Sequence, residues 1–150
     1  MALDWTLASL HHLTIFSLAG ILAFELALTV GVVDVRTVLR LSRVDAWYGA
    51  LAALALAAGL ARVFLGAKGA EYYAVNGLFW IKMALFATVA AISVLPTLRF
   101  IVWRRAARLD AGFLAPSDQL ARVRNVFWVE VALFALIPIA AAGMARGYGL

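Results

Sequence analysis

The chain has 150 residues, of which 66% are hydrophobic and 14% are charged, and its mean hydropathy is +0.98. A soluble domain usually carries about 25% charged and about 45–50% apolar residues, so too few polar side chains are present here to cover a water-soluble globule. Cysteine is absent, which excludes disulfides, iron–sulfur clusters and thiol catalysis. The formal net charge is +5. In a membrane protein such a charge usually comes from Lys and Arg in the cytoplasmic loops and does not indicate nucleic-acid binding.

Four apolar segments follow one another along the chain. They cover residues 7–33, 46–65, 77–102 and 123–144. About 20 apolar residues, each rising about 1.5 Å along a helix, cross a hydrocarbon core of about 30 Å, so every segment is long enough to span a membrane. The sequence therefore predicts an all-α fold, an integral membrane four-helix bundle in which residues 1–150 form a single four-span domain.

Arginine residues are concentrated in two of the three connections between these segments. The first connection and its flanks hold Arg36, Arg40 and Arg43, and the third holds Arg104, Arg105, Arg108, Arg122 and Arg124. The opposite side has only Lys68 and Arg146. Because short cytoplasmic loops carry an excess of Lys and Arg, this pattern predicts that both termini lie outside and both arginine-rich connections lie in the cytoplasm.

The span ends carry further local signals. Five tryptophans lie close to them and predict an aromatic belt at the membrane interfaces: Trp5, Trp47, Trp80, Trp103 and Trp128. Residues 110–119 predict a turn before the fourth helix, with Ser117 or Asp118 as the N-cap of that helix. Residues 66–76 form the one sizeable loop predicted on the outer side.

Several ionisable side chains lie inside the spans, where charge is costly and normally faces the bundle or a cavity. Their depth divides them into two groups. The outer group consists of His11, His12, Arg62 and Lys82. The inner group consists of Glu25, Arg99 and Glu130.

The inner group contains charges of both signs. We expect Glu25, Arg99 and Glu130 to form a buried ion pair that holds the first, third and fourth helices together. A second interpretation gives the two glutamates a proton-handling role, because intramembrane carboxyl groups often mark proton relays.

The outer group contains cations but no acid at its own depth. Such a cluster predicts an anionic ligand held by Arg62 and Lys82, such as a carboxylate, a lipid phosphate or the propionates of haem. The alternative is that both side chains snorkel to the interface. Arg62 shares a helix face with small residues such as Ala55 and Gly59, and small residues mark helix contacts in membranes. We therefore expect Arg62 to point into the bundle.

The two histidines restrict the metal chemistry. Neighbouring residues differ by about 100° around a helix, so His11 and His12 cannot both face one point, and at most one is a good ligand. Zinc and di-iron sites need three or four converging ligands, and no second helix carries a histidine for a bis-histidine haem. A haem b held by His11 or His12, alone or with Met83, Lys82 or a tyrosine as second ligand, is compatible with the sequence.

Four runs of residues carry a family resemblance: Leu10-His11-His12 followed by Gly20, and the runs at 43–49 (RVDAWYG), 79–85 (FWIKMAL) and 94–100 (VLPTLRF). With the four-span layout, they resemble a bacterial family of small membrane proteins along nearly the whole chain. The resemblance implies a multi-pass protein of the bacterial cytoplasmic (inner) membrane.

A more distant resemblance rests on one early histidine, on Lys82 preceded by Trp80, and on topology. In these features the chain is similar to the HemJ-type protoporphyrinogen oxidases and to the CopD-type copper-resistance membrane domain. The resemblance implies binding of haem or another tetrapyrrole. Thr97-Leu98-Arg99 stands where HemJ-type proteins carry a further histidine, so oxidase activity does not follow from it.

Three functions from different classes fit the sequence. The first is a haem- or tetrapyrrole-binding redox protein, in which His11 or His12 ligates iron while Arg62 and Lys82 hold propionates. The second is an accessory or structural subunit of a larger membrane complex. The third is a small proton-linked transporter that uses Glu25 and Glu130. The expected partners are the lipid bilayer and a second copy of the chain or a larger complex, and enzymatic activity is left open.

Overall fold

The computed structural model of the protein describes residues 2–150 and is all-helical in that range. The helices are α1 (Ala2–Leu28), α2 (Val35–Leu65), α3 (Gly69–Ala74), α4 (Gly77–Leu109) and α5 (Ser117–Ala145). Four of them, α1, α2, α4 and α5, are long and apolar enough to cross a membrane. The predicted all-α fold with four spans is therefore confirmed.

The helix ends follow from local chemistry. The Asp34 side chain caps α2 by accepting from the Thr37 backbone N–H at 2.8 Å and from the Thr37 hydroxyl at 2.7 Å. Asn76 caps α4 in the same way. Helix α5 follows Pro116 without a side-chain cap, so the predicted N-cap at Ser117 or Asp118 is wrong. Asp118 already lies in the first turn, where its carboxylate pairs with Arg122.

The four long helices form a closed ring. Helix α1 packs along α2, and α4 packs along α5, while the pairs α2–α4 and α1–α5 complete the ring. This order leaves α1 diagonally opposite α4. A side chain that points inward from α1 therefore meets one from α4 at the centre of the bundle, although the two helices are not neighbours.

The two ends of the bundle are built differently. At the terminus end, the Tyr72 hydroxyl of α3 donates to the Met144 carbonyl at 2.8 Å, and Asn76 donates to the Tyr148 carbonyl at 3.1 Å. These contacts hold the 66–76 segment against the C-terminal residues. At the arginine end, the connections 29–34 and 110–116 meet where Ala115 N–H donates to the Val33 carbonyl at 2.9 Å.

The best-packed part of the core lies toward the arginine end. Trp103, Phe100 and Phe127 are the largest fully buried side chains, and the Phe100 ring centroid lies 5.8 Å from that of Trp103 and 6.2 Å from that of Phe127. Trp103 was expected in the aromatic belt, and this prediction is wrong. Its indole N–H donates to Gln119 at 3.0 Å, a partner that only an inward position on α4 provides. The other four tryptophans are exposed.

Candidate functional site

A polar cavity of about 110 Å³ opens at the terminus end of the bundle. Its polar lining consists of His11, Arg62, Lys68, Tyr73 and Lys82. These residues come from α1, α2, the connection to α3, α3 itself and α4, so the ring of helices brings together positions far apart in sequence. Within residues 2–150, no acidic side chain lines this space. We call it the cationic cavity.

A second, mostly apolar cavity of about 50 Å³ adjoins the first and extends toward the middle of the bundle. The two cavities share His11, Gly59, Val63 and Lys82 in their linings. Ile15 from α1 and Phe86 from α4 are among the apolar residues of the inner one. The combined space is therefore amphipathic, with a charged mouth and a hydrocarbon-lined interior.

His11 is held in one orientation by the backbone of α2. Its Nδ1 atom lies 3.1 Å from the Ala55 carbonyl oxygen. A carbonyl can only accept, so Nδ1 carries the hydrogen and donates it, and the lone pair is left on Nε2. Gly59 makes this approach possible, because a Cβ atom there would lie 3.1 Å from the His11 ring. The small residues expected on this face of α2 therefore make room for a side chain.

His12 points in a different direction from His11. It is exposed, whereas His11 is half-buried, and the two ring centroids lie 6.3 Å apart with the rings nearly edge to face. Only His11 lines the cavities. In the described part of the chain, no group of three or more His, Cys, Asp or Glu side chains is arranged to hold a metal ion. A site formed by His11 and His12 together has no support from this geometry.

Arg62 and Lys82 carry the positive charge of the cavity. The Arg62 Nε atom is buried and has no hydrogen-bond partner within residues 2–150. The Lys82 ammonium lies 5.3 Å from the centroid of the Phe79 ring, and Lys82 and Arg62 line the same cavity. Both side chains are half-buried. This position agrees with the expectation that Arg62 points into the bundle.

The acids at this end, Asp4 and Glu71, do not line the cationic cavity. Asp4 accepts a hydrogen bond from the Ala67 backbone N–H at 3.1 Å, and its carboxylate does not line the cavity. Lys68 donates to the Tyr72 hydroxyl at 3.1 Å, with its ammonium 4.2 Å from the Tyr72 ring centroid. The ammonium of Lys82 and the guanidinium of Arg62 therefore have no anionic partner in the described chain.

A second set of ionisable residues lies toward the arginine end, and we call it the acidic group. It consists of Glu25 on α1, Asp45 on α2 and Glu130 on α5. Glu25 and Glu130 are fully buried. Asp45 was not predicted as a site residue, because the second apolar segment covers residues 46–65, whereas α2 begins at Val35. The run Asp45-Ala46-Trp47-Tyr48 contained the signal, a carboxyl one turn from an inward-facing tyrosine.

The predicted ion pair among Glu25, Arg99 and Glu130 is not formed. The structure joins neither glutamate to a cation within residues 2–150, and Arg99 instead donates to Gln119 at 3.3 Å. The reason is side-chain direction. Gln119 and Glu130 are separated by about 16 Å along α5, at about 1.5 Å per residue. The Arg99 guanidinium is therefore directed toward the arginine end, away from Glu130.

Comparison with protein families gives one match. Residues 3–149 match the model of a family described as "Predicted membrane protein (DUF2214)". The chain belongs to this family. The description agrees with the four membrane-spanning helices, and the match covers both the cationic cavity and the acidic group. No curated protein and no solved structure matches the chain. The similarity to HemJ-type and CopD-type proteins therefore stays a prediction.

Proposed function

We propose that this membrane protein binds an amphiphile with a carboxylate head. Arg62 and Lys82 bind the carboxylate in the cationic cavity, and the apolar part of the ligand lies in the adjoining cavity between the helices. The observation that carries the proposal is the buried Arg62 Nε atom, which lines an acid-free cavity and has no partner within residues 2–150.

The energetics favour an anion at this position. A charge inside a membrane protein is costly unless it is paired. Arg62 and Lys82 line one cavity, and the repulsion between two like charges raises this cost further. A hydrogen bond to a charged group contributes about 1.5–3 kcal/mol. A carboxylate that accepts from the guanidinium and the ammonium would satisfy the free Arg62 N–H and remove the repulsion.

Haem offers the required carboxylates but does not fit the space as it stands. Its propionates would suit Arg62 and Lys82, and the His11 tautomer leaves Nε2 free to ligate iron, which is the usual arrangement of a metal-binding histidine. The two cavities, however, measure about 110 and 50 Å³, whereas ligand pockets usually measure about 300–1,000 Å³. A porphyrin is a wide, rigid plane and would have to separate the helices. A fatty acid needs room only for its carboxylate head and a narrow acyl chain, whose far end would extend between the helices into the lipid.

The test compares two ligands that differ only in the head group. The protein in mild detergent is titrated by calorimetry with palmitate and with hexadecanol, and the cationic cavity should bind palmitate more tightly. Arg62→Gln and Lys82→Gln should each weaken palmitate binding about tenfold or more, because each removes one charge-assisted hydrogen bond. Arg146→Gln changes an exposed cation at the same end and should leave the affinity unchanged.

A parallel titration with haem identifies the source of the carboxylate. A stoichiometric absorption band that shifts on reduction with dithionite, disappears in His11→Ala and persists in His12→Ala would identify haem as the ligand. Palmitate binding without such a band would identify a fatty acid. If palmitate binds no better than hexadecanol and haem does not bind, the proposal is wrong.

We also infer that the protein lies in the bacterial inner membrane with its terminus end outside, since the arginine-rich end should face the cytoplasm. The natural chain has no cysteine, so single thiols report orientation cleanly. A membrane-impermeant maleimide applied to whole cells should label Glu71→Cys on α3 and should not label Arg105→Cys, although both positions are exposed. Labelling of Arg105→Cys but not of Glu71→Cys would show that the terminus end faces the cytoplasm.

A further inference from the structure

Glu25 and Glu130 are enclosed in the bundle without a compensating group. Glu25 is 1% exposed and Glu130 is 0% exposed. One carboxyl oxygen of Glu25 and both carboxyl oxygens of Glu130 are buried and have no hydrogen-bond partner within residues 2–150. An ionised carboxylate in such a place would lack both a donor and a counter-ion, and that state is strongly unfavourable in an apolar interior.

The groups around the two glutamates and Asp45 come from all four long helices. The titratable ones, which are close enough to interact electrostatically, are Glu25 on α1, Asp45 and Tyr48 on α2, and Glu130 on α5. Helix α4 contributes the Thr97 hydroxyl, which donates to Asp45 at 2.7 Å. Arg99 follows Thr97 on the same helix but donates to Gln119. The acidic group therefore contains no cation from any helix in the described chain.

We propose that Glu25, Asp45 and Glu130 form a proton-binding site that holds a proton at neutral pH and exchanges it with water. Neighbouring carboxyls without a cation cannot all be ionised, since each negative charge raises the cost of the next one. No metal-binding cluster of acidic or histidine side chains is found in residues 2–150, so a proton is the positive charge that fits. The site is separate from the cationic cavity, since Glu25 lies about 21 Å from His11 along α1.

Asp45 provides the route by which protons enter. It is half-buried, whereas the two glutamates are fully buried. A carboxyl with one accessible side and a hydroxyl partner can accept a proton from water and pass it inward. The two glutamates then hold the proton, and Asp45 controls how fast it exchanges.

Infrared spectroscopy of the full chain in detergent or in liposomes tests the proposal, because it detects protonated carboxyl groups directly and needs no chemical label. The C=O stretch of a protonated carboxyl is distinct from the bands of a carboxylate. We expect this band at neutral pH, where exposed acids are ionised, and we expect it to shift in D₂O and to disappear at alkaline pH. Glu25→Gln and Glu130→Gln should each reduce it, whereas Asp118→Asn, at an exposed acid, should not.

The role of Asp45 has its own readout. Asp45→Asn should leave the band in place at neutral pH but slow its shift in D₂O by about tenfold or more, an effect that a purely structural role would not produce. Circular dichroism verifies that each variant keeps its helices. Absence of the band at neutral pH, a band unaffected by both glutamate variants, or a band that never shifts in D₂O would each overturn the proposal.

Discussion

The terminus end and the arginine end of this bundle both contain unpaired ionisable side chains, but of opposite sign and in different packing. Arg62 and Lys82 line a cavity of about 110 Å³, whereas Glu25 and Glu130 are enclosed next to the packed aromatic core. The cations therefore have room for a molecular ligand, while the acids have room for a proton. The difference shows that an unpaired charge within a membrane bundle indicates a molecular ligand only where a cavity lies beside that charge.

The largest expected effect is on stability at the packed end. Trp103→Ala should lower the free energy of unfolding by about 3–5 kcal/mol, the usual cost of truncating a large buried aromatic side chain. Unfolding of the purified protein by added sodium dodecyl sulfate measures this change. Trp47→Ala, at an exposed tryptophan of α2, is the matched control and should cost far less. Equal losses would mean that the arginine end is not the better-packed one.

A smaller change is expected at the cavity end. Gly59→Ala places a Cβ atom 3.1 Å from the His11 ring. Overpacking of this kind costs about 1–3 kcal/mol, and the better helix propensity of alanine offsets up to about 1 kcal/mol of that cost. The control Gly49→Ala lies on the same helix and meets nothing within 4 Å, so it should stabilise α2 by up to about 1 kcal/mol. Detergent unfolding measures both variants, and palmitate affinity should fall only in Gly59→Ala. If Gly59→Ala stabilises the protein as much as Gly49→Ala does, the His11 ring is not held there.

The smallest effect concerns a helix end outside the spans. Hydrogen bonds from the Thr37 backbone and hydroxyl lower the pKa of the exposed Asp34 carboxyl. The cap is therefore fully present above the unfolded pKa of about 3.9 and is lost as the pH falls through the lower folded value. Hydrogen-exchange protection of the Thr37 amide should fall in acid. Asp34→Asn still caps the helix but does not titrate, so unchanged acid sensitivity in that variant would exclude Asp34 as the cause.

Hydropathy and helical phase predicted much of the structure from the sequence. The four spans follow from long apolar runs, and the 100° between His11 and His12 already implied that one of them would face outward. Residues of the cationic cavity were also recognised, because His11, Arg62 and Lys82 interrupt apolar segments at a common depth.

The wrong or missing predictions have a common physical origin, because side-chain direction and helix length cannot be seen in a linear pattern. Arg99 was assigned to the glutamates by depth alone, although its guanidinium reaches Gln119. Trp103 was assigned to the interface because tryptophan is common there, but its indole is buried. Asp45 was overlooked because α2 continues beyond its apolar stretch. A linear pattern gives no information on which neighbour lies across the bundle.

The central claim is that the cationic cavity binds a carboxylate and that the acidic group acts separately from it. The most direct test is to measure palmitate affinity in one series of variants. The series compares the wild type with an Arg62→Gln/Lys82→Gln double variant and a Glu25→Gln/Glu130→Gln double variant. We predict that the first loses affinity by more than about tenfold, while the second stays within about twofold of the wild type, as expected for distant independent sites. Unchanged affinity in the first, or equal losses in both, would contradict this account.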